Sequence, residues 1–178
     1  MSAADQQFVS DMQSTFNIDS SVTDNQMANF GEEVCSDRAS GQTVAAEVTV
    51  AQQSWTGISV GDDLQMVLLA EKDVCPYHQA AQTVTYVVSG TPGADVTYGP
   101  AGSDDQGSVP MSVTHSLGNP SYYAINAQLQ GYGSVSCKLE VDGVAISTAE
   151  ASGGYNIANC EIDQDITSGS WQNTNAAG

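Results

Sequence analysis

The stretch Ser134-Val-Ser-Cys137-Lys-Leu-Glu-Val-Asp142-Gly143-Val-Ala-Ile-Ser-Thr-Ala-Glu-Ala-Ser-Gly-Gly-Tyr-Asn-Ile-Ala-Asn-Cys160 decides the fold of the C-terminal half. Val135, Cys137, Leu139 and Val141 alternate with Ser136, Lys138 and Glu140, the period of a strand with one face on a core. Asp142-Gly143 then falls between Val141 and Val144, and that dipeptide accepts the positive φ values of a two-residue hairpin turn. A second strand must fold back on the first. Ser152-Gly153-Gly154 makes another turn, after which residues 155–162 return as a third strand, bringing Cys160 near Cys137. These two cysteines are expected to pair, and closing that loop stabilises the fold by roughly 3 kcal/mol on a chain-entropy estimate.

Upstream of this stretch, the same period of two recurs. Thr83-Val-Thr-Tyr-Val-Val88 reads as a strand and Ser89-Gly90-Thr-Pro92-Gly93 as a turn. Residues 94–98, 109–117 and 122–129 supply further strands. Residues 99–108 read as a polar Gly/Asp loop. About seven strands with regular turns predict an antiparallel, Ig-like β-sandwich over residues 83–166. Residues 167–178 are rich in Ser, Gly, Asn and Gln, which predicts a flexible tail.

The N-terminal half has a different period. Phe8, Met12 and Phe16 recur every four residues over residues 4–16, the stripe of a helix. Thr23-Asp24 caps a second helix with Met27, Phe30, Val34 and Cys35 inward. Residues 43–54 carry Val44, Val48 and Ala51 at helical spacing, with Trp55 following. Ser59 opens a fourth helix whose buried face holds Leu64, Val67, Leu68, Val74 and Cys75, with Asp62 and Asp63 in its first turn where the helix dipole favours negative charge. Pro76 stops it. The expected organisation is therefore a small helical bundle over residues 1–76, tied by a Cys35 to Cys75 bridge, a linker over 77–82, then the sandwich: an α+β chain of two domains.

Composition bounds the function. The 178 residues carry a formal net charge of -18, yet only 13% are charged, because Arg38, Lys72 and Lys138 are the only strong bases. Phosphate neutralisation needs clustered Lys and Arg, so nucleic acid is excluded as a partner class, and an anionic membrane surface is disfavoured for the same reason. The four cysteines lack C-x-x-C spacing and His78 and His115 stand alone, so structural disulfides are favoured over zinc or redox chemistry. That places the protein in an oxidising, extracytoplasmic compartment, whether secreted, periplasmic or lipid-anchored in its precursor. No apolar run reaches membrane-spanning length, and Met1-Ser-Ala-Ala-Asp lacks a signal-type charge and apolar core. A mature form whose signal or anchor was replaced by Met1 is expected.

Two resemblances add to this reading. Asp5-Gln-Gln-Phe8, the central Val34-Cys35 and the terminal Val74-Cys75-Pro76 resemble the 732 group, a helical domain of unknown function in small secreted and lipid-anchored mycobacterial proteins. In the second half, Val84-Thr-Tyr-Val-Val-Ser-Gly90, Asp95-Val-Thr-Tyr98, Ala127-Gln128, Val135-Ser-Cys137-Lys-Leu-Glu-Val-Asp-Gly143 and Cys160 resemble the extracytoplasmic domain of the mycobacterial membrane protein small (MmpS) family. That family's Leu-Pro-Trp segment appears here as Val109-Pro110-Met111, and the helical domain stands in place of its membrane-spanning helix. MmpS proteins assist lipid and siderophore exporters of the resistance-nodulation-division (RND) type, so the resemblance implies an accessory of such a transporter or a carrier of a lipid-like ligand.

Three constellations offer chemistry. Gly57-Ile-Ser59-Val-Gly61 matches the G-x-S-x-G nucleophile pattern, but that motif needs a strand before its serine and a helix precedes this one. Ser59 reads as an N-cap with Asp62 at the third helical position rather than as the nucleophile of a small serine hydrolase, so no catalytic residue is assigned. Glu161, Asp163 and Asp165 line one face of a last strand, with Ile162 and Ile166 on the other. They are a solvated face or, as the weaker reading, calcium ligands. Asp104 and Asp105, in the glycine-rich loop, have the same two readings, and no other cofactor is implied. The tyrosines Tyr122, Tyr123, Tyr132 and Tyr155 are core or edge residues by default. Adjacent Tyr122 and Tyr123 point to opposite faces of a strand, however, so at least one is exposed as contact material for a protein or lipid-like ligand. Tyr122, Tyr123, Tyr132, Asp104 and Asp105 are thus the candidate binding residues. The function expected is a non-catalytic binding or accessory protein of the mycobacterial envelope. The rival is a structural or surface-display role, such as a phage virion decoration or a cell-surface component.

Overall fold

In the computed structural model, which describes residues 1–75 and 81–175, the chain divides into two compact units. Residues Met1–Ala80 form the first, joined by the segment Asp165–Ser170, and Ala81–Gln164 with Trp171–Gly178 forms the second. The linker expected over residues 77–82 and the helix stop at Pro76 fall mostly outside the described residues, as does His78.

Among the described residues, four helices build the first unit: α1 (Ala3–Thr15), α2 (Asp24–Ala39), α3 (Val44–Ser54) and α4 (Val60–Asp73). Each begins at a hydroxyl N-cap, namely Ser2, Thr23, Thr43 and Ser59, whose side chain accepts an otherwise orphaned backbone N–H three residues on. The core gathers Phe8 and Met12 from α1, Met27, Phe30 and Val34 from α2, Val48 and Ala51 from α3, and Leu64, Met66 and Val67 from α4. Phe8 stacks on Phe30 with ring centroids 6.4 Å apart, and the Trp55 ring meets Phe30 edge-on at 5.8 Å. A Cβ added at Gly31 would come within 2.9 Å of the Phe8 ring, so glycine there lets α1 approach α2. Cys35 and Cys75 are bonded. On α4 the buried face is broader than the sequence stripe predicts: Met66 and Leu69 are buried, Leu68 is only half-buried, and Asp63 points into the core.

The second unit contains β1 (Thr83–Gly90), β2 (Asp95–Pro100), β3 (Asp105–Gly107), β4 (Met111–Ser116), β5 (Tyr122–Gln128), β6 (Ser134–Val141), β7 (Val144–Ser152), β8 (Ile157–Gln164) and β9 (Trp171–Asn173). All pairings are antiparallel, in a sheet ordered β4-β1-β6-β7 and a sheet ordered β3-β2-β5-β8-β9. The inner faces meet over Val84, Tyr86, Leu139 and Val141 from one sheet and Val96, Tyr123, Ile125, Ala158 and Ile162 from the other. The Tyr86 ring lies 5.0 Å from that of Tyr98 and 6.3 Å from that of Tyr123, across the sandwich. Asp142 and Gly143 both take positive φ, 50° and 80°, and Val141 pairs with Val144, as the hairpin reading requires.

Several sequence expectations are corrected here. After residue 153 the chain does not return beside β7 but crosses to the facing sheet, so the Cys137–Cys160 bond joins the two sheets. An inter-sheet disulfide is shared with immunoglobulin domains, whereas the strand order is this chain's own. The loop over 99–108 contains the edge strand β3, and the tail expected from residue 167 contains β9. Trp171 anchors β9: it is buried, with its ring 5.5 Å from Tyr123. Asn175 then links the middles of β7 and β8, accepting from Ser147 Oγ and the Glu161 N–H, both at 2.6 Å. Within the first unit, Ser170 Oγ donates to Asp62 Oδ1 at 2.6 Å.

Candidate functional site: the loop end of the sandwich

β1, β5 and β7 finish at one end of the sandwich, where β2, β6 and β8 begin, so the connections 91–94, 129–133 and 153–156 gather there. Their sequences, Thr-Pro-Gly-Ala, Leu-Gln-Gly-Tyr-Gly and Gly-Gly-Tyr-Asn, hold the residues that turns need plus two tyrosines. Hydrogen bonds stitch them together. The Thr91 N–H donates to Ser134 O at 2.8 Å, and the Ser134 N–H donates to Thr91 Oγ1 at 3.1 Å. The Gly153 N–H donates to Gly133 O at 3.0 Å, and the Leu129 N–H donates to Asn156 O at 3.0 Å. Gly133 takes φ +148°, and a Cβ there would meet Thr91 Cβ at 2.8 Å, so only glycine lets these loops close up.

On this scaffold Tyr132 is 94% exposed, Tyr155 66% and Ile157 53%. Tyr155 also has a φ of +61°, a conformation costly for a side chain of its size. Beside Tyr132 lies a cavity of about 170 Å³ lined by residues 91–94 and 129–132. At its rim Gln130 Nε2 donates to Asp95 Oδ2 at 2.7 Å. Among the described residues Asp95 is the one ionisable side chain at this end besides the tyrosines, in a chain of net charge -18.

The structure divides the sequence-derived candidates. Tyr132 stands at this loop end. Tyr123 is withdrawn as a contact residue: it faces the core, and its hydroxyl accepts the Gly118 N–H at 2.7 Å. Its neighbour Tyr122 is 39% exposed but begins β5, and Asp104 and Asp105 lie exposed near it, by the turn where the Ala101 N–H donates to Tyr122 O; all three are at the opposite end of β5 from Tyr132. Glu161 and Asp163 share the outer face of β8, but Asp165 falls past the strand. There its carboxylate accepts the N–H groups of Thr167 and Ser168 at 2.9 and 2.8 Å, which hold it below the usual carboxylate range. Ile166 is fully exposed rather than inward. Among the described residues no three His, Cys, Asp or Glu side chains are grouped to hold a metal ion. Ser59 caps α4, accepting the Asp62 N–H at 3.1 Å and donating to Asp62 Oδ2 at 2.8 Å, and His115 lies against the rings of Tyr86 and Tyr98 in the other unit.

Sequence reasoning missed the Asp95–Gln130 pair and the grouping of Tyr132 with Tyr155 and Ile157. The glycines and tyrosines of the three turns were a signal, but their common end follows only from strand order. Both disulfides fit an oxidising compartment, and no described helix is long and apolar enough to cross a membrane. No curated protein matches the chain. Residues 4–77 match the model of a family described as "Protein of unknown function (DUF732)", so it is the helical unit, and not the sandwich, that is similar to that family.

Proposed function

We propose that this is a non-catalytic, extracytoplasmic binding protein of the cell envelope, and that the loop end of its sandwich makes the contact. The observation that carries the reading is the exposure of Tyr132 and Tyr155, on loops that are themselves bonded to one another, together with that of Ile157 at the start of β8. Large apolar side chains held out on a rigid frame bind with little loss of conformational entropy. Ser59, the residue that a hydrolase reading would need, is engaged as a helix cap, which supports contact over turnover. The likeness of the sandwich sequence to the MmpS extracytoplasmic domain supports an accessory role beside an envelope exporter.

The test is photo-crosslinking in the native producing cell, with a benzophenone side chain at position 132 or, as control, at exposed Ser112 on the outer face of β4. The reading expects an envelope adduct from position 132 that position 112 does not give. Equal adducts at both positions, or none at 132, would overturn it.

A further inference from the structure

We infer that the loop end is a binding site for a neutral, hydroxyl-rich carbohydrate chain, with Tyr132 as the stacking platform and the Asp95–Gln130 pair as the hydroxyl-binding element. This rests on the reading that the loop end is the contact surface and names what it contacts. The electron-rich face of an aromatic ring attracts the C–H face of a sugar, and Tyr132 offers that face beside a cavity of about 170 Å³, room for a single sugar ring. Asp95 is exposed, and one of its oxygens accepts from the Gln130 amide, so the pair brings carboxylate and amide acceptors and a remaining amide N–H together. Neighbouring sugar hydroxyls, each both donor and acceptor, are matched to such a pair. A second ring, Tyr155, stands on the loop bonded to that of Tyr132 through Gly153 and Gly133, so a chain of sugars has a further platform.

Charge selects among ligands. The sandwich has one strong base, Lys138, and it sits in mid-strand on β6, 2.5 Å from Glu140. Uronates, sulfated sugars and phosphates would meet Asp95 and a strongly negative chain with no cation to receive them. Size argues against a protein as the main occupant. A stable protein interface buries about 800 Å² per partner around several desolvated anchors, whereas this end, among the described residues, offers three exposed large apolar side chains, two on small-residue loops and one at the start of β8.

The experiment applies the full-length protein to an array of neutral and acidic oligosaccharides, then titrates the strongest neutral binder into isotope-labelled protein followed by NMR. The inference expects saturable shifts confined to residues 91–95, 129–133 and 153–156. It expects at least a tenfold loss of affinity in Tyr132→Ala, a smaller loss in Asp95→Asn, and a dispersed, folded spectrum for both variants. Binding to no neutral oligosaccharide, preference for acidic ones, shifts elsewhere, or full affinity in Tyr132→Ala would each overturn it. If the array is blank while the crosslinker at position 132 captures an envelope protein, the contact reading stands and the carbohydrate falls. If both are blank, both fall.

Discussion

Asp63 has no solvent exposure, and neither of its carboxylate oxygens has a hydrogen-bond partner among the described residues, so its ionised form carries an uncompensated desolvation cost. Burial, with Asp62 adjacent as the lesser cause, pushes its pKa up to about 6. Because the folded value exceeds the unfolded one, the native state binds the extra proton between about pH 4 and pH 6. Stability is therefore highest below that window and falls as pH rises through it. A shift of this size corresponds to on the order of 2–3 kcal/mol. Glu47 and Asp73, also raised, with burial as the first cause, add slope of the same sign, while Asp5, Asp19 and Asp165 are lowered by hydrogen bonds and act at more acid pH. Urea unfolding should show Asp63→Asn more stable than the parent at pH 7.5 by about 1–2 kcal/mol, with a shallower fall between pH 4 and 6; an unchanged slope would show that Asp63 is not the titrating group. Tyr155 makes the opposite case, an exposed side chain in a backbone region that favours glycine. Tyr155→Gly should raise stability by about 0.5–1 kcal/mol while weakening capture at the loop end, measured by thermal unfolding and by crosslinking yield at position 132.

Element by element, what the sequence revealed depended on whether the signal was local. The hydroxyl caps Thr23 and Ser59 and the Asp142-Gly143 hairpin were legible because each is decided within four residues. Ser59→Ala should destabilise the helical unit by about 1 kcal/mol through loss of the α4 cap, read by urea denaturation; no loss would mean that the cap is dispensable. β3 and β9 were not legible, since three residues carry no period and their polar neighbours resemble loops. Nor was the sheet to which β8 belongs, because alternation says that a strand has a buried face and not which strand lies beside it. Trp171 is the one large apolar residue of residues 167–178, and it could have exposed the error about the tail. Trp171→Ala should cost about 3–5 kcal/mol in the sandwich transition, where a loose tail would show no change on heating. The candidate binding set divided for the same reason: Tyr122 and Tyr132 are ten positions apart in sequence, yet a whole strand separates them.

For the molecule as a whole, the arrangement is two cores, each closed by its own bond. By loop length, Cys35–Cys75 spans 40 residues and Cys137–Cys160 spans 23, so each stabilises its unit by roughly 3–4 kcal/mol on a chain-entropy estimate. The acidity is spread over both units, with Arg38 held by Glu71, Lys72 close to Asp11 and Asp73, and Lys138 beside Glu140. With every strong base beside an acid, the molecule has little to offer an anionic partner, and the proposed contact surface, the loop end, is nearly uncharged among the described residues. That account depends on two separately stapled units formed in an oxidising compartment. The most direct measurement is a non-reducing peptide map of protein isolated from its natural source with thiols blocked at lysis. The prediction is one linked peptide pair containing Cys35 and Cys75, another containing Cys137 and Cys160, and no blocked thiol. Free thiols, or a bond between either cysteine of the first pair and either of the second, would contradict it.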